Sequence, residues 1–155
     1  MPKRSAGILL FRRNVDGVEV MLVHPGGPFW TNKDKGAWSI PKGEFDETED
    51  PLDAARRELH EETGIKANGK FIALQPVRLR SGKWVLAWAL EKDVDVSKIR
   101  SNHFSTEWPP GSGRTKTFPE VDRAGWFAVT EANEKINPAQ AGWLRELERI
   151  LETPA

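Results

Sequence analysis

One short stretch of the chain, residues 43–65, constrains the fold more than any other. Its sequence, GEFDETEDPLDAARRELHEETGI, predicts a helix from about Pro51 to Thr63, with Asp50 as the N-cap and proline at the first helical position. Gly64 follows the helix, and a glycine there can adopt the left-handed conformation that ends a helix. The sequence therefore predicts a helix with both ends defined.

Three glutamates, Glu58, Glu61 and Glu62, share one face of this predicted helix, because residues three and four apart are helical neighbours. Like charges raise one another's pKa unless a cation lies between them. Carboxylate oxygens are the ligands that a hard divalent ion such as Mg²⁺ prefers. The alternative is a solvated acidic helix face, which is typical of an arbitrary helix. If that alternative were correct, the capped helix and the upstream Gly43 and Glu49 would occur together only by chance. We therefore expect a metal site.

A longer pattern of fixed residues runs through the same stretch. It reads glycine, five residues, glutamate, seven residues, arginine, glutamate, an aliphatic residue, any residue, two glutamates, any residue, glycine and an aliphatic residue. The positions are Gly43, Glu49, Arg57, Glu58, Leu59, Glu61, Glu62, Gly64 and Ile65. With this pattern the chain resembles the Nudix hydrolases.

The resemblance implies an α/β (α+β) fold, the Nudix α/β/α sandwich with a mixed central sheet, in one domain over residues 1–155. It also implies hydrolysis of a P–O–P linkage in a compound that contains a nucleoside diphosphate. The cofactor would be Mg²⁺, with Mn²⁺ as an alternative, held against the diphosphate of a small nucleotide substrate.

The resemblance further implies the roles of individual residues. Glu58 and Glu62 would be the central metal ligands, with Glu61 contributing directly or through water and the carbonyl of Lys42 as a further oxygen. Arg57 would pair with Glu49 and orient a metal-binding glutamate, a role that tunes a metal site without touching the ion.

The general base is open between two glutamates. Some members of the family use a motif glutamate, here Glu58, and others use a glutamate from a later loop. Glu120 precedes a predicted strand and could reach the metals, although an ordinary surface carboxylate is its alternative interpretation. We therefore expect Glu120 as a catalytic residue, beside Glu58.

Residues outside the motif must bind the substrate. Lys42, Arg78 and Lys83 are candidates for phosphate contacts, although exposed cations mostly interact with solvent. Trp108 is a candidate for stacking on a base, although most of the seven tryptophans should pack in the core. Nothing around His24 assigns it a role.

Composition excludes several classes of protein. The 155 residues fit one ordinary domain. Lysine plus arginine and aspartate plus glutamate both number 23, so no global field draws the chain to nucleic acid or to an anionic membrane. The absence of cysteine excludes disulfides and cysteine-bound zinc, and suits a cytoplasmic location. No apolar run approaches the roughly 20 residues of a membrane span. The oligomeric state is open.

Elsewhere, β-branched and apolar runs predict strands, and runs rich in glycine and proline predict loops. Strands are predicted at residues 6–13, 18–24, 38–40, 71–80, 83–92 and 124–129, and loops at 25–36, 42–50 and 101–121. Asp16-Gly17 predicts a hairpin between the first two strands. Thr130 is expected to cap a short helical turn, and Asn137-Pro138 to open a final helix with one apolar face.

The run Trp-Ser-Ile-Pro-Lys-Gly-Glu at residues 38–44 is similar to the entry to the motif in diadenosine polyphosphate hydrolases and RNA pyrophosphohydrolases. The diadenosine enzymes typically carry a tyrosine downstream, and this chain has none. We therefore expect a nucleotide or dinucleoside polyphosphate as substrate, without choosing one. The alternatives are an enzyme that hydrolyses oxidised nucleoside triphosphates and a non-catalytic module that binds a nucleotide.

Overall fold

A computed structural model describes residues 4–152 of the chain. The first three and last three residues, which the predicted domain includes, lie outside the described residues. Within the described range the elements are β1 (Arg4–Asn14), β2 (Gly17–Pro25), β3 (Lys42–Phe45), α1 (Pro51–Thr63), β4 (Ile72–Ala73), β5 (Val77–Arg78), β6 (Trp84–Glu91), β7 (His103–Glu107), β8 (Thr115–Pro119), β9 (Val121–Ala128), α2 (Val129–Lys135) and α3 (Gly142–Glu152), with short 3₁₀ turns at Val96–Lys98 and Pro138–Gln140.

The main sheet is mixed and is organised around β1. On one edge β1 pairs in parallel with β6, and on the other edge it pairs antiparallel with β3 and then with β2. The path β4-β6-β1-β2-β9 gives the strand order, with β5 also on β6. Strands β7 and β8 form a separate antiparallel pair. The predicted mixed sheet and the hairpin between β1 and β2 are confirmed.

Helices cover both faces of the main sheet. On one face, buried Ala54, Ala55 and Leu59 of α1 pack against apolar side chains of β1. On the other face, α2 and α3 cover Leu9 and Phe11, through Ala132, Trp143, Leu144 and Leu147. Full burial of a leucine side chain contributes about 1.5–3 kcal/mol, so these two clusters hold the three layers together. The predicted α/β/α sandwich is confirmed.

Helix α1 has the boundaries that its sequence predicts. The Asp50 side chain accepts a hydrogen bond from the backbone N–H of Asp53 at 3.1 Å. At the other end, Gly64 has φ +79° and its N–H donates to the carbonyl of His60 at 2.7 Å. Because both ends are fixed, the glutamates on α1 have a defined register against the sheet.

The prediction of a loop over residues 42–50 is wrong for its first part, which is strand β3. Four residue pairs from Arg4↔Phe45 to Gly7↔Lys42 join β3 to β1. Gly7 permits this close pairing, since a Cβ there would overlap the carbonyl oxygen of Pro41. The strand is formed by pairing with β1 rather than by its own weak propensity, so local sequence could not predict it.

Two predicted strands are shorter than expected. Residues 38–40 make only isolated bridges, Val23↔Ser39 and Trp38↔Ile136. The strand predicted at 71–80 is divided into β4 and β5, with Pro76 between them. Proline has no N–H to donate to a neighbouring strand, so the pairing with β6 is interrupted there.

The segment 101–121 is not the unstructured loop that its sequence suggested. It contains the β7–β8 hairpin, with five residue pairs from His103↔Pro119 to Glu107↔Thr115. Both strands are short and largely polar, which gives little hydrophobic alternation from which to predict them.

The C-terminal predictions are correct in part. Strand β9 starts at Val121, three residues before the predicted strand. Helix α2 begins at Val129 after Ala128, without a side-chain cap, so Thr130 is not its cap. Asn137 caps a 3₁₀ turn, and α3 starts only at Gly142. Within residues 4–152, none of the helices has the length and apolar character of a membrane crossing.

Candidate active site

Glu58 and Glu62 are the two buried carboxylates on the face of α1 that meets β3. A Cβ built on Gly43 would overlap the Glu58 carboxylate, so glycine is required where this side chain lies against the strand. A backbone hydrogen bond from Lys42 reaches the carboxylate of Glu62. The helix and β3 together therefore fix the directions of both carboxylates.

Arg57 binds three glutamates at once. Its Nε and Nη2 donate to Glu49 Oε2 and Oε1 at 2.8 and 2.9 Å. Its Nη1 donates to Glu58 Oε1 at 2.8 Å and to Glu61 Oε2 at 3.2 Å. The hydrogen bonds from Arg57 lower the pKa of Glu49. The guanidinium thus anchors the loop before α1 and also lies between two of the predicted metal ligands.

Glu120 joins this cluster from a distant part of the chain, between β8 and β9. Its N–H donates to the carbonyl of Asn102 at 2.9 Å, and its carbonyl accepts from the N–H of Gly26 at 2.8 Å. Burial and the nearby charge of Glu61 raise the pKa of Glu120. The structure therefore brings the fourth predicted carboxylate to the end of α1.

Ionisation of the clustered glutamates is unfavourable, because Glu58 and Glu62 are buried close to one another. Burial, followed by the charges of Glu58 and Glu120, raises the pKa of Glu62 to about 8. Burial also raises the pKa of Glu58, although Arg57 opposes the shift. Buried like charges of this kind are stabilised by a cation placed among them.

The donor set suits a hard divalent cation, because it consists of carboxylate oxygens with a backbone strand beside them. Within residues 4–152, no three His, Asp or Glu side chains already stand at the spacing of metal ligands. Arg57 Nη1 holds Glu58 and Glu61 instead. An ion would therefore replace the bonds from Nη1, whereas the two bonds from Arg57 to Glu49 can persist. By its chemistry this cluster fits a divalent ion.

The predicted phosphate-binding cations lie on one side of the cluster. Burial, and then the charge of Lys83, lowers the pKa of the Lys42 ammonium, while Glu62, Glu44 and Glu58 oppose the shift. Lys83 Nζ forms an ion pair with Glu44 Oε1 at 2.6 Å. Arg78, on β5, lies 5.9 Å from the centre of the Trp84 ring. The structure thus groups Lys42 with Lys83 and leaves Arg78 on the adjoining sheet edge.

Trp108 lies just past one end of β7, and the residue at the other end, His103, pairs with Pro119 beside Glu120. From His103, the first residue of β7, to Trp108 the chain advances by five residues, roughly 17 Å if it is extended. Its ring packs edge-to-face on Phe29, with 5.6 Å between the ring centres. The structure therefore joins Trp108 to loop 25–36 rather than to the motif.

Sequence reasoning missed Asn102, which contacts both α1 and Glu120, and Gly26, which holds the carbonyl of Glu120. The Pro-Gly-Gly-Pro run indicated a loop at Gly26, but no local signal distinguishes Asn102.

His24, to which the sequence assigns no role, is fully buried, and its ring nitrogens contact Asp122 Oδ1 at 2.9 Å and the Lys33 carbonyl at 2.6 Å. His24 therefore holds loop 25–36 against β9.

The fold and site together define a three-layer α/β/α sandwich that carries a glutamate cluster on one capped helix. The NUDIX domain family model matches residues 1–147 of the chain. The chain therefore belongs to the Nudix family.

The comparisons with individual proteins agree with this assignment. A rat protein named bis(5'-nucleosyl)-tetraphosphatase [asymmetrical] is 31% identical over 122 residues, covering 70% of this chain and 79% of that protein. A Bartonella henselae RNA pyrophosphohydrolase is 41% identical over 69 residues, covering 42% of this chain and only 37% of that protein's length. Among solved structures, a binary complex of a C. elegans Ap4A hydrolase has a TM-score of 0.66 at 21% identity, covering 96% of this chain and 98% of that chain.

Proposed function

We propose that this chain hydrolyses a pyrophosphate linkage in a nucleotide or dinucleoside polyphosphate and depends on Mg²⁺ for this reaction. The observation that carries the proposal is the buried pair Glu58 and Glu62, fixed against β3 and facing Glu120. We further propose that residues 1–155 form one domain and that the protein is cytoplasmic.

A hydrolase that acts on phosphoanhydride bonds is indicated by the Nudix domain and by relatives named as a pyrophosphohydrolase and a tetraphosphatase. Such a reaction requires stabilisation of negative charge on phosphate, a nucleophilic water and a means to deprotonate it. The residues of the cluster supply candidates for each requirement.

Glu58, Glu61, Glu62 and the backbone of Lys42 would hold the metal. Mn²⁺ is the alternative ion for the same oxygen ligands. When bound, a divalent ion would offset phosphate charge, polarise phosphorus and lower the pKa of the attacking water. Arg57 would keep its two hydrogen bonds to Glu49 and so hold the loop that precedes the helix.

Glu120 is our candidate for the general base, with Glu58 as the alternative. The pKa of Glu120 is raised toward neutral pH, and a carboxylate with a raised pKa is a better acceptor for the proton of the attacking water. Its backbone is fixed by hydrogen bonds on both sides, so its carboxylate is presented from a defined position.

Lys42, Lys83 and Arg78 would contact the phosphates of the substrate. Lys42 and Lys83 lie close enough for the charge of Lys83 to lower the pKa of Lys42. A polyphosphate would relieve this repulsion, so a substrate with several phosphates suits this side of the cluster. Trp108 and Phe29 would offer aromatic faces to a base that lies farther from the reacting phosphorus.

The test is hydrolysis of a panel of nucleotides in Mg²⁺, comprising diadenosine tetraphosphate, a 5'-triphosphorylated RNA, ADP-ribose and oxidised and ordinary nucleoside triphosphates. The matched pair of variants is Glu62→Gln, within the cluster, and Glu148→Gln, on the exposed face of α3. We expect turnover of at least one polyphosphate by the parent and by Glu148→Gln, and its loss in Glu62→Gln and in EDTA.

Two outcomes would redirect the assignment. Nucleotide binding without turnover of any panel member would contradict the enzyme and support a non-catalytic nucleotide-binding module. Selective turnover of an oxidised nucleoside triphosphate would favour an enzyme that removes damaged nucleotides.

A further inference from the structure

A short segment, residues 100–102, connects the last turn of α1 to the start of β9, and we call it the 100–102 strap. The N–H of Arg100 donates to the carbonyl of Thr63 at 2.8 Å, and the N–H of Asn102 donates to the carbonyl of Glu61 at 2.8 Å. On its other side, Ser101 Oγ accepts from the N–H of Val121 at 2.9 Å. The strap thus satisfies helix-end carbonyls that have no partner within α1.

The side chain of Asn102 makes two further contacts on this path. Its amide nitrogen faces the carbonyl oxygen of Glu61 at 3.1 Å and Glu120 Oε2 at 3.3 Å. Hydrogen bonding assigns this orientation, because the opposite one would point the amide oxygen at two acceptors. A single side chain therefore bridges the metal-binding helix and the Glu120 carboxylate.

The backbone of Glu120 is already held on both sides, by the Asn102 carbonyl and the Gly26 N–H. What remains free is rotation of the Glu120 side chain, which has three torsions. Ordering such a side chain costs conformational entropy. A donor aimed at one of its oxygens offsets that cost and selects one direction for the carboxylate.

We propose that Asn102 is a positioning residue, whose amide orients the Glu120 carboxylate toward the glutamate cluster on α1. This inference rests on the proposed catalytic role of Glu120. It goes beyond that proposal because it assigns a function to a residue outside the motif and predicts energetic coupling between Asn102 and Glu120.

A purely structural role does not explain the amide. The backbone N–H and carbonyl of Asn102, which any residue supplies, already join the strap to the Glu61 carbonyl of α1 and to the Glu120 N–H. The amide adds a second bond to the same Glu61 carbonyl, so its distinctive contact is the one to the Glu120 carboxylate. The residue is exposed, so its side chain fills no cavity in the core. Removing the amide should therefore change the direction of the Glu120 carboxylate and leave the fold in place.

The experiment compares Asn102→Ala with Ser101→Ala in the full-length protein, using the best substrate of the panel. Ser101→Ala removes two side-chain hydrogen bonds of the same strap, from the N–H of Val121 and to the carbonyl of Asn102, without touching the Glu120 carboxylate, so it controls for loosening of the strap. We expect Asn102→Ala to lower kcat about tenfold or more at unchanged KM, in the range typical for groups that orient a reactive residue. Ser101→Ala should keep kcat and lose some Tm. Asn102→Asp, which presents an acceptor to Glu120, should lower kcat further.

A double-mutant cycle with Glu120→Gln isolates the coupling. If the amide acts through Glu120, then Asn102→Ala in the Glu120→Gln background costs little more activity than Glu120→Gln alone. Multiplicative losses, or an unchanged kcat in a folded Asn102→Ala variant, would overturn the inference while leaving the proposed hydrolase intact. An unchanged kcat in Glu120→Gln would also overturn it. Failure of the parent protein to hydrolyse any substrate would instead reject the proposed function, so the two failures are distinguishable.

Discussion

The two parts of the candidate site are built in opposite ways. The part on α1 is local: its caps, its glutamates and Arg57 all fall within 15 residues of the chain. The part around Glu120 is assembled from three distant segments, through hydrogen bonds from Gly26 and to Asn102. Both parts present carboxylates to the same place.

The two parts are therefore suited to different steps of the reaction. Glu58 and Glu62 are buried and held by a helix and a strand, and metal ligands require such fixed positions. The Glu120 carboxylate is held by a loop junction and by one amide, so small changes elsewhere can redirect it. We therefore expect the local part to control metal binding and the assembled part to control the rate of the chemical step.

The largest effect that would test this contrast is expected for Glu58→Gln. The change replaces a predicted metal ligand with a neutral group of the same shape, so kcat should fall by about 10³-fold or more, beyond the roughly 10–100-fold cost of losing a residue that only orients a ligand. Because burial already raises the pKa of Glu58, loss of its charge should not lower Tm. Steady-state kinetics and thermal unfolding measure both. Activity within tenfold of the parent would mean that the metal site lies elsewhere.

A smaller loss is expected for Arg57→Lys. Lysine cannot reproduce the two parallel hydrogen bonds to Glu49 or the further bond to Glu58, so kcat should fall about 10–100-fold. The control is Arg56→Lys on the same helix, because Arg56 donates to Ala67 and Asn68 instead. The control should retain activity. Equal losses in both variants would show that general disturbance of α1, and not the bonds of Arg57, causes the effect.

The same division between local and assembled structure decides what the sequence could predict. Helix α1 was predicted with its observed boundaries because Asp50, Pro51 and Gly64 determine them locally. Strand β3 and the β7–β8 hairpin were missed, because they form by pairing with partners that the local pattern does not specify. Secondary structure that depends on tertiary pairing is weakly encoded in the local sequence.

The candidate site follows the same rule. The proximity of Arg57 to Glu49 and to the α1 glutamates follows from helical spacing and the short preceding loop. The position of Glu120 near the α1 glutamates could be proposed only from the family resemblance. Asn102 could not be found at all, since its two contacts depend on how a loop crosses the end of α1. Physical reasoning on sequence predicts contacts within an element better than contacts between distant loops.

The burial of Glu62 on α1 can be tested through the pH dependence of stability in the absence of metal. The folded-state pKa of Glu62 is about 8, above its ordinary value of 4.5. Between these values the folded protein keeps a proton that the unfolded chain has released, so stability falls as pH rises, by at most about 1.4 kcal/mol per pH unit. Urea unfolding in EDTA at pH 5.5, 6.5 and 7.5 measures this slope.

The matched variant for this measurement is Glu62→Gln, which cannot ionise and should lose this part of the pH dependence. Addition of Mg²⁺ at pH 7.5 should stabilise the parent protein more than the variant, because an ion that binds only the folded state shifts the equilibrium. Parallel pH profiles for the two proteins in EDTA would show that Glu62 is not the buried group responsible.

The smallest effect is expected farthest from α1, at Trp108. If the Trp108 and Phe29 rings stack on a base, Trp108→Ala should raise KM about fivefold, at the low end of the 1–3 kcal/mol that stacking on a base contributes. The value of kcat should not change, since Trp108 lies roughly 17 Å of strand from the end of β7 nearest Glu120. Trp84→Ala is the comparison, because the Trp84 ring is exposed and lies instead on the sheet edge beside Arg78. A larger rise in KM for Trp84→Ala than for Trp108→Ala would indicate that the nucleobase binds on the Lys42 side of the cluster. Loop 25–36 and the β7–β8 hairpin would then support Glu120 rather than form a substrate-binding surface.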